Sequence, residues 1–429
     1  MHDMKDSGVA WIGAVPSGYR TASIGSLFTI KKDIIGREPE TVLSITQTGI
    51  RPKDLSSNEG QNASSYAHYQ IVNMGDFAMN HMDLLTGWID ISKYEGVTSP
   101  DYRVFTLNDK EMSADYFLRV FQYYYTNKVF FGFGQGVATL GRWRLPAINF
   151  KKIDVPVPPV LEQQRIVSAI DEKVGKVDAL IANVQTQIEK LKAYKQSVIT
   201  ETVTKGLDPD VQMKDSGVEW IGEIPEHWKI AKIKIGVTKV GSGKTPLGGA
   251  ETYSSEGVLF LRSQNIYDEG INLDSPTYIT DTIDEEMKGT RVKPYDVLLN
   301  ITGGSIGRCC IFPPELERAN VNQHVSIIRV IDSIFTPDYM HYYWNSNIGK
   351  MSISLYQTGG NREGMSADAI KNSPIMVIPI QEQKVITTYL DHKCSHIDKL
   401  ITLKQQKIEK LQQYKKSLIY EYVTGKKEV

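Results

Sequence analysis

The stretch MKDSGVAWIGAVP at residues 4–16 returns as MKDSGVEWIGEIP at residues 213–225, and this repetition decides the architecture. The offset is 213 − 4 = 209, and only three of the 13 aligned positions differ. A match of this length is very improbable by chance, so the chain contains two copies of one unit.

A second pair of matching segments lies further along each copy. Glu162-Gln163 opens a long helical stretch that ends near Thr204, and Glu382-Gln383 opens its counterpart. Here the offset is 382 − 162 = 220, so the second copy carries 220 − 209 = 11 additional residues between the matched blocks. Each copy therefore consists of a shared repeat block, a divergent middle and a shared helix.

Both helical stretches show apolar residues at alternating steps of four and three, which predicts a coiled-coil seam. Lys404 interrupts the second seam. The seam residues are Ile170, Val174, Val177, Ile181, Val184, Ile188 and Leu191, and Leu390, Cys394, Ile397, Ile401, Ile408, Leu411 and Leu418. Such a seam needs a partner, and a pseudo-two-fold relation between the copies predicts that the two helices pair antiparallel. At roughly 40 residues each helix spans about 60 Å.

The divergent middles have the pattern of α/β modules. Residues 257–262 and 292–301 are predicted strands, and Asp115 to Thr126 and Asp338 to Ser346 are predicted short helices. The predicted fold class is α/β (α+β), with two recognition domains and two long antiparallel coiled-coil helices. The predicted boundaries are 1–155 for the first recognition domain, 156–206 for the first long helix, 207–378 for a linker and the second recognition domain, and 379–429 for the second long helix.

Composition excludes several classes of protein. The formal charge is −1, so the chain shows no global basic footprint for nucleic acid, and any basic surface must be local. Three cysteines, Cys309, Cys310 and Cys394, lack the spacing of a disulfide scaffold or a zinc site. No apolar run approaches the roughly 20 residues of a membrane helix, and the N-terminus lacks a signal-peptide core. We therefore expect a cytoplasmic protein without a metal.

The order of these parts resembles the specificity subunits of Type I restriction–modification systems over nearly the whole chain. The resemblance rests on DSGVEWIGEIPEHW at 215–228 and its twin at residue 6, and on PVPPVLEQQRIV at 156–167 with its counterpart IPIQEQKVI at 378–386. It also rests on the helix endings IEKLxxYKxSxIxExVT, and on YDVLL at 295–299 followed by GGSIGR at 303–308.

The resemblance implies a non-catalytic subunit that binds double-stranded DNA. Each divergent middle would read one half of a bipartite, asymmetric target, and the helices would set the gap between the halves. The shared segments would dock two methyltransferase subunits, and motor-nuclease subunits would join for restriction. S-adenosylmethionine, ATP and Mg²⁺ would belong to those partners, with no cofactor in this chain.

Candidate DNA contacts are basic and amide side chains at predicted loops, because Arg and Lys bind phosphates or guanine and Asn and Gln read adenine. Aligned positions such as Arg142 and Arg362 strengthen the choice. In the first middle they are Thr46, Gln47, Asn80, His81, Arg142 and Arg144, and in the second Lys244, Ser263, Gln264, Asn265, Arg308, Asn361 and Arg362. For any one of them, a solvated loop side chain is the competing interpretation.

Three alternatives remain open. Gly241 to Thr245 (GSGKT) suggests a phosphate-binding loop and hence an ATPase, but the first glycine of that motif is replaced by Thr238 and Pro246 follows at once. A glycine-rich turn between strands fits better. The chain could also be the recognition subunit of a related restriction–modification system outside Type I. The third alternative is a coiled-coil scaffold without a role in DNA binding.

Overall fold

The computed structural model describes residues 3–55, 63–136, 143–357 and 364–429. The chain forms two compact units, one from residues 1–184 and 406–429 and the other from residues 185–405. Two long helices, α5 (Val160–Lys205) and α10 (Ile380–Val423), are each divided between the units. Each unit thus combines the start of one long helix with the end of the other.

The first unit contains twelve short strands and four short helices among its described residues. The strands are β1 (Met4–Asp6), β2 (Ala14–Pro16), β3 (Arg20–Ser23), β4 (Phe28–Lys31), β5 (Leu43–Thr46), β6 (Gly49–Pro52), β7 (Gln70–Val72), β8 (Phe77–Met79), β9 (Ile89–Ile91), β10 (Gly96–Thr98), β11 (Arg103–Leu107) and β12 (Asp154–Val157). The helices are α1 (Ile24–Leu27), α2 (Ala114–Thr126), α3 (Val129–Gly132) and α4 (Ala147–Lys152).

The second unit has the same general composition. Its strands are β13 (Met213–Asp215), β14 (Glu223–Pro225), β15 (Lys229–Lys232), β16 (Val237–Ser242), β17 (Val258–Leu261), β18 (Ile266–Tyr267), β19 (Gly270–Ile271), β20 (Tyr278–Ile279), β21 (Arg291–Val292), β22 (Val297–Asn300), β23 (Cys309–Ile311), β24 (Ala319–Val321), β25 (Val325–Val330) and β26 (Pro374–Val377). Its helices are α6 (Asp281–Glu286), α7 (Pro337–Asn345), α8 (Asn347–Tyr356) and α9 (Ala367–Asn372).

Both units are built around an antiparallel four-stranded sheet with the same connectivity. The strand order is β4-β11-β8-β9 in the first unit and β16-β25-β22-β23 in the second. The two repeat blocks also adopt one structure, since β1 pairs with β2 and β13 with β14 in the same register. The second unit adds a sheet of order β20-β17-β24-β21, in which β17 and β24 run parallel.

Within each unit the two long-helix segments run antiparallel and are joined by an ion pair. Asp178 pairs with Lys415 in the first unit, and Lys195 with Asp398 in the second, both at 2.7 Å. The two pairs occupy equivalent positions, because each residue of one is 220 positions from its counterpart in the other. The predicted seam is largely buried, including Ile170, Val177, Val184, Ile188, Leu390, Ile397 and Leu418. The predicted fold class is confirmed.

The start of each long helix is held by a buried glutamine. Gln163 accepts a hydrogen bond from Ser113 N at 2.8 Å, and Gln383 accepts one from Thr336 N at 2.7 Å. Ser113 and Thr336 are the N-caps of α2 and α7. The glutamine of the shared EQ dipeptide therefore couples the start of each long helix to an earlier short helix, α2 in the first unit and α7 in the second.

The core of the first unit is rich in aromatic side chains. Phe28, Phe77, Phe105 and Phe121 lie in mutual contact, with ring centroids 5.2–5.9 Å apart. Most of these pairs are edge-to-face, and such contacts between aromatic rings add to the stabilisation from burial. Tyr124 and Tyr125 are buried as well, so the tyrosine run of α2 belongs mainly to the core, as does the Tyr343-Trp344 pair of α7.

The core of the second unit is divided by β23. Cys309 packs into one hydrophobic cluster and Cys310 into another, and both side chains are buried. Burial raises the pKa of the Cys310 thiol to about 12. The two cysteines are thus part of the hydrophobic core, as their apolar neighbours in the sequence indicate.

One predicted strand is wrong in its extent. Residues 292–301 do not form a single strand, because a turn separates β21 from β22. Pro294 removes a backbone donor, Tyr295 takes a positive φ of 68°, and the Asp296 carboxylate accepts from Lys293 N at 2.7 Å. The aspartate closes the turn and the strand begins after it.

The GSGKT segment is a strand end followed by a turn. β16 runs through Gly241 and Ser242, and Lys244 N donates to Val321 O at 3.0 Å. A Cβ at Gly243 would lie 1.9 Å from Val321 O, so the glycine is required by close approach of the backbones. The next helical residues are a single 3₁₀ turn at Gly249–Thr252, and the helix that a phosphate loop precedes does not follow.

Candidate nucleic-acid interface

In the second unit, several loops meet at one end of the four-stranded sheet. The antiparallel register places Ser242 opposite Ser326, and Asn300 opposite Val325. It also pairs Leu299 with Cys309. The segments after β16 and β22 and before β23 and β25 therefore lie together, and we call this group of loops the loop end of the sheet.

Backbone and side-chain hydrogen bonds hold these loops to one another. The Asn300 amide donates to Ser263 O at 2.8 Å, which joins the loop after β22 to the 3₁₀ turn after β17. Ile301 N donates to His324 O at 2.9 Å, and the Thr302 hydroxyl lies 2.5 Å from His324 Nδ1. A recognition surface built this way is preorganised, so binding costs less conformational entropy.

Of the predicted contacts in this unit, three present side chains to solvent or to the rim of the loop end. Lys244 and Gln264 are exposed. The Arg308 guanidinium lies over the Tyr267 ring, 4.5 Å from its centroid, and is partly exposed. Tyr267 was missed by sequence reasoning, and only the fold brings it to Arg308. A cation stacked on an aromatic ring is held in place while its outer donors remain available.

Two further predicted residues of the described part of this unit, Ser263 and Asn265, are tied to the loop itself. Ser263 is half-buried and its carbonyl accepts from Asn300. Asn265 is 4% exposed, its Oδ1 accepts from Arg262 N and its Nδ2 donates to Asn272 O, both at 3.0 Å. The structure therefore places Asn265 as a support of the 3₁₀ turn, with its amide already engaged.

The first unit has an equivalent loop end after β8. Asn80 accepts from Met82 N at 3.2 Å, and its carbonyl accepts from the Tyr125 hydroxyl at 2.6 Å. The turn between β5 and β6 approaches it, because the Gln47 amide donates to Thr86 O at 3.1 Å. Thr46 closes that turn by donating to Gly49 O at 2.9 Å. Gln47 is exposed, whereas Asn80 and Thr46 are half-buried.

His81, Arg144 and a residue that sequence reasoning missed, Arg103, come together at this loop end. Arg103 donates from Nη2 to Leu145 O at 2.7 Å, and Leu145 N donates to His81 O at 2.9 Å. Burial, followed by the charges of Arg103 and Arg144, lowers the pKa of His81 to about 3, so its imidazole is neutral at pH 7. Arg103 carried no sequence signal, because a strand-opening arginine looks like any surface cation.

Three predicted contacts, Arg142, Asn361 and Arg362, lie outside the described residues, so their roles remain predictions. Within the described ranges, no group of His, Cys, Asp and Glu has the arrangement of a metal site. The helices of that same part of the chain include none long and apolar enough to cross a membrane.

Comparisons with known proteins agree with this architecture. The family model for the Type I restriction modification DNA specificity domain matches residues 225–413. The putative type I restriction enzyme MjaX specificity subunit of Methanocaldococcus jannaschii is 23% identical over 97% of this chain and 95% of its own. The MjaVIII specificity subunit of the same organism is 26% identical over 65% of this chain and 63% of its own.

Solved structures share the fold. A chain from a structure of a type I R-M system superposes with a TM-score of 0.70 at 14% identity, covering 95% of this chain and 98% of that one. The HsdS subunit from Thermoanaerobacter tengcongensis superposes with a TM-score of 0.51 at 14% identity, over 96% and 98% of the two chains.

Two sheets of one topology, each ending in polar loops, together with these matches support a DNA sequence-specificity subunit. This chain is thus similar to Type I restriction enzyme specificity subunits over nearly its whole length, and residues 225–413 match the DNA specificity domain.

Proposed function

We propose that each unit reads one half of a bipartite, asymmetric DNA target through its loop end. The observation that carries the proposal is the pairing of one shared sheet topology with different side chains at equivalent loops. In the second unit the DNA contacts come from Lys244, Gln264 and Arg308, and in the first unit from Gln47, Asn80 and Arg144. Different side chains on sheets of the same topology favour two different half-sites in a fixed order.

The repeated segments then dock partner subunits. Two copies of one helix pair and one repeat block offer two like surfaces, which fit two identical methyltransferase subunits. Motor-nuclease subunits join this complex for restriction. S-adenosylmethionine, ATP and Mg²⁺ act in those partners, and the complex works in the cytoplasm, where its DNA substrate lies.

The test maps methylated adenines genome-wide in a host that expresses the chain with its neighbouring methyltransferase, against the same host without the chain. We expect a split motif, two short halves around a fixed gap, that disappears with the chain. An unchanged map, with the methyltransferase shown to be active, would favour the scaffold alternative instead. A continuous motif would favour a recognition subunit outside Type I.

A substitution at Arg308 tests whether the loop end of the second unit recognises one half of the motif. Arg308→Ala removes the cation stacked on Tyr267, and we expect relaxed methylation of one half-site, with about tenfold weaker binding of the complex to full-target DNA. Lys288→Ala, which removes an exposed cation of the same unit that pairs with Glu285, serves as the matched control. Equal effects of the two substitutions on both half-sites would contradict recognition by this loop end.

A further inference from the structure

Arg103 is a buried cation without a counter-ion among the described residues. Its side chain is 4% exposed, it opens β11 at the loop end of the first unit, and its guanidinium lies 4.6 Å from the centroid of the Phe150 ring. Within the described residues, the guanidinium donates from Nη2 to Leu145 O, whereas Nη1 is buried without a hydrogen-bond partner.

The groups around Arg103 add positive charge. Burial, followed by the charge of Arg144, lowers the pKa of Arg103 to about 10, so the guanidinium remains charged at pH 7. Arg144 is exposed and lies one residue from the carbonyl that Arg103 holds. His81 is neutral, and its Nδ1 is likewise buried without a partner in the described part of the chain.

An uncompensated buried charge is expensive, and folded proteins pair such groups almost without exception. Even the half-buried Arg119 and Arg329 are paired, with Asp171 and Asp296 at 2.6 and 2.7 Å. The weak screening around Arg103 also strengthens its attraction for an anion at the rim. We propose that Arg103, Arg144 and His81 form an anion site that takes one backbone phosphodiester of the bound DNA.

The geometry favours a phosphate over a base. Reading guanine requires two parallel donors of one guanidinium at the base edge, whereas Arg103 is 4% exposed and one of its donors is held by Leu145 O. A phosphodiester oxygen needs only charge and a single donor, and Arg144 at the rim can supply the direct contact with Arg103 behind it. The inference rests on the proposed function and names the DNA group that this loop end binds.

The described residues of the second unit have no arginine at the position equivalent to Arg103. Arg103 stands opposite Met79 in the register, and the equivalent pair is Ser326 opposite Leu299. Ser326 is buried, and its hydroxyl is without a hydrogen-bond partner in the described residues. A neutral hydroxyl in place of a guanidinium predicts that this phosphate contact belongs to the half-site of the first unit alone.

The experiment uses the full chain assembled with its methyltransferase partner on target DNA in which single phosphates are replaced by neutral methylphosphonates. For the wild-type chain we expect one position, in the half-site of the first unit, at which the replacement weakens binding about tenfold. In Arg103→Met and in Arg144→Gln that position should lose its effect, and the slope of log K against log salt should fall by about one.

Controls separate charge from folding. Arg103→Lys keeps the charge and should preserve the methylphosphonate effect, whereas a purely structural role would make Lys as harmful as Met. Lys110→Gln removes an exposed cation beyond the opposite end of β11 and should leave the effect unchanged. Thermal unfolding of each variant shows that the unit is folded.

The outcomes are distinguishable. If the wild-type complex binds no specific DNA, the proposed function fails. If it binds, but methylphosphonates weaken the wild type, Arg103→Met and Arg144→Gln equally at every position, the phosphodiester site is overturned. Stabilisation of the wild-type chain by inorganic phosphate without coupling to any DNA phosphate would also overturn it, since the site would then hold a free anion.

Discussion

At the scale of single residues, one buried aspartate in each unit closes the same turn but forms its ion pair with a cation from a different strand. Asp76 and Asp296 each accept a hydrogen bond from the backbone three residues earlier, at 2.8 and 2.7 Å. Asp76 pairs with Lys31 on β4, whereas Asp296 pairs with Arg329 on β25. The acid closes the turn before the strand in both units, and the cation that compensates it comes from a different strand.

The half-buried His341 predicts that the second unit becomes less stable in mild acid. Burial lowers the pKa of His341 to about 4, whereas an unfolded histidine titrates near 6.5. As pH falls from 6.5 toward 4, the unfolded chain binds a proton that the folded chain does not, so the free energy of unfolding decreases. His341→Leu, which copies Leu118 of α2, should reduce this loss between pH 7 and 5 in urea unfolding.

Exposed His392 of α10 provides the control, since His392→Leu should leave the pH dependence of the wild type intact. An equal loss of stability in the wild type and in His341→Leu would show that His341 is not the group responsible.

At the scale of elements, each long helix begins where a glutamine ties it to a short helix and to the chain before it. Gln383 accepts from Thr336 N and donates to Ile334 O and Ile378 O, at 2.7 and 3.0 Å. Gln163 repeats the arrangement with Ser113 N and Pro158 O. Three backbone groups thus depend on one buried amide.

Gln383→Ala should lower the free energy of unfolding of the second unit by about 3 kcal/mol, because it leaves buried donors and acceptors unpaired. Urea unfolding measures the loss, and hydrogen exchange should show it as faster exchange at the start of α7. Gln405→Ala changes the same residue type at an exposed position of the same helix and should cost little. Matching losses in the two variants would mean that the buried amide is not what stabilises the helix start.

At the scale of the whole molecule, the two units share their repeat blocks and long-helix ends but differ in how the chain connects them. Gly206 ends α5 with a φ of 76°, and Gly425 takes a φ of 69° just after α10. A Cβ at Gly425 would lie 2.5 Å from the Pro16 ring, so the helix end lies against the repeat block of the first unit. Six residues, 207–212, connect the helix end to the repeat block in the second unit.

A circular permutant should therefore fold. Joining Val429 to Met1 places 4 + 3 = 7 residues between Gly425 and Met4, close to the six of the natural connection, and new ends can open within 207–212. We expect wild-type helical content by circular dichroism and retained target binding with the partner. A permutant opened at residues 184 and 185 inside α5 should lose helical content. If both permutants behaved alike, the equivalence of the two connections would be refuted.

The sequence by itself determined the two-copy organisation, the fold class and the helix seam. Repeats and apolar periodicity can be read directly along the chain, and the regularly spaced apolar side chains are the ones that the fold buries. It predicted α2 and α7 almost to the residue. It also predicted one continuous strand where a turn lies at Tyr295, because a tyrosine does not indicate a positive φ. Only the tertiary structure decided which loops meet, that Asn265 supports its own turn, and that Arg103 lies beside Arg144 and His81. These contacts join residues far apart in the chain, so they depend on strand order and register, which no local pattern records.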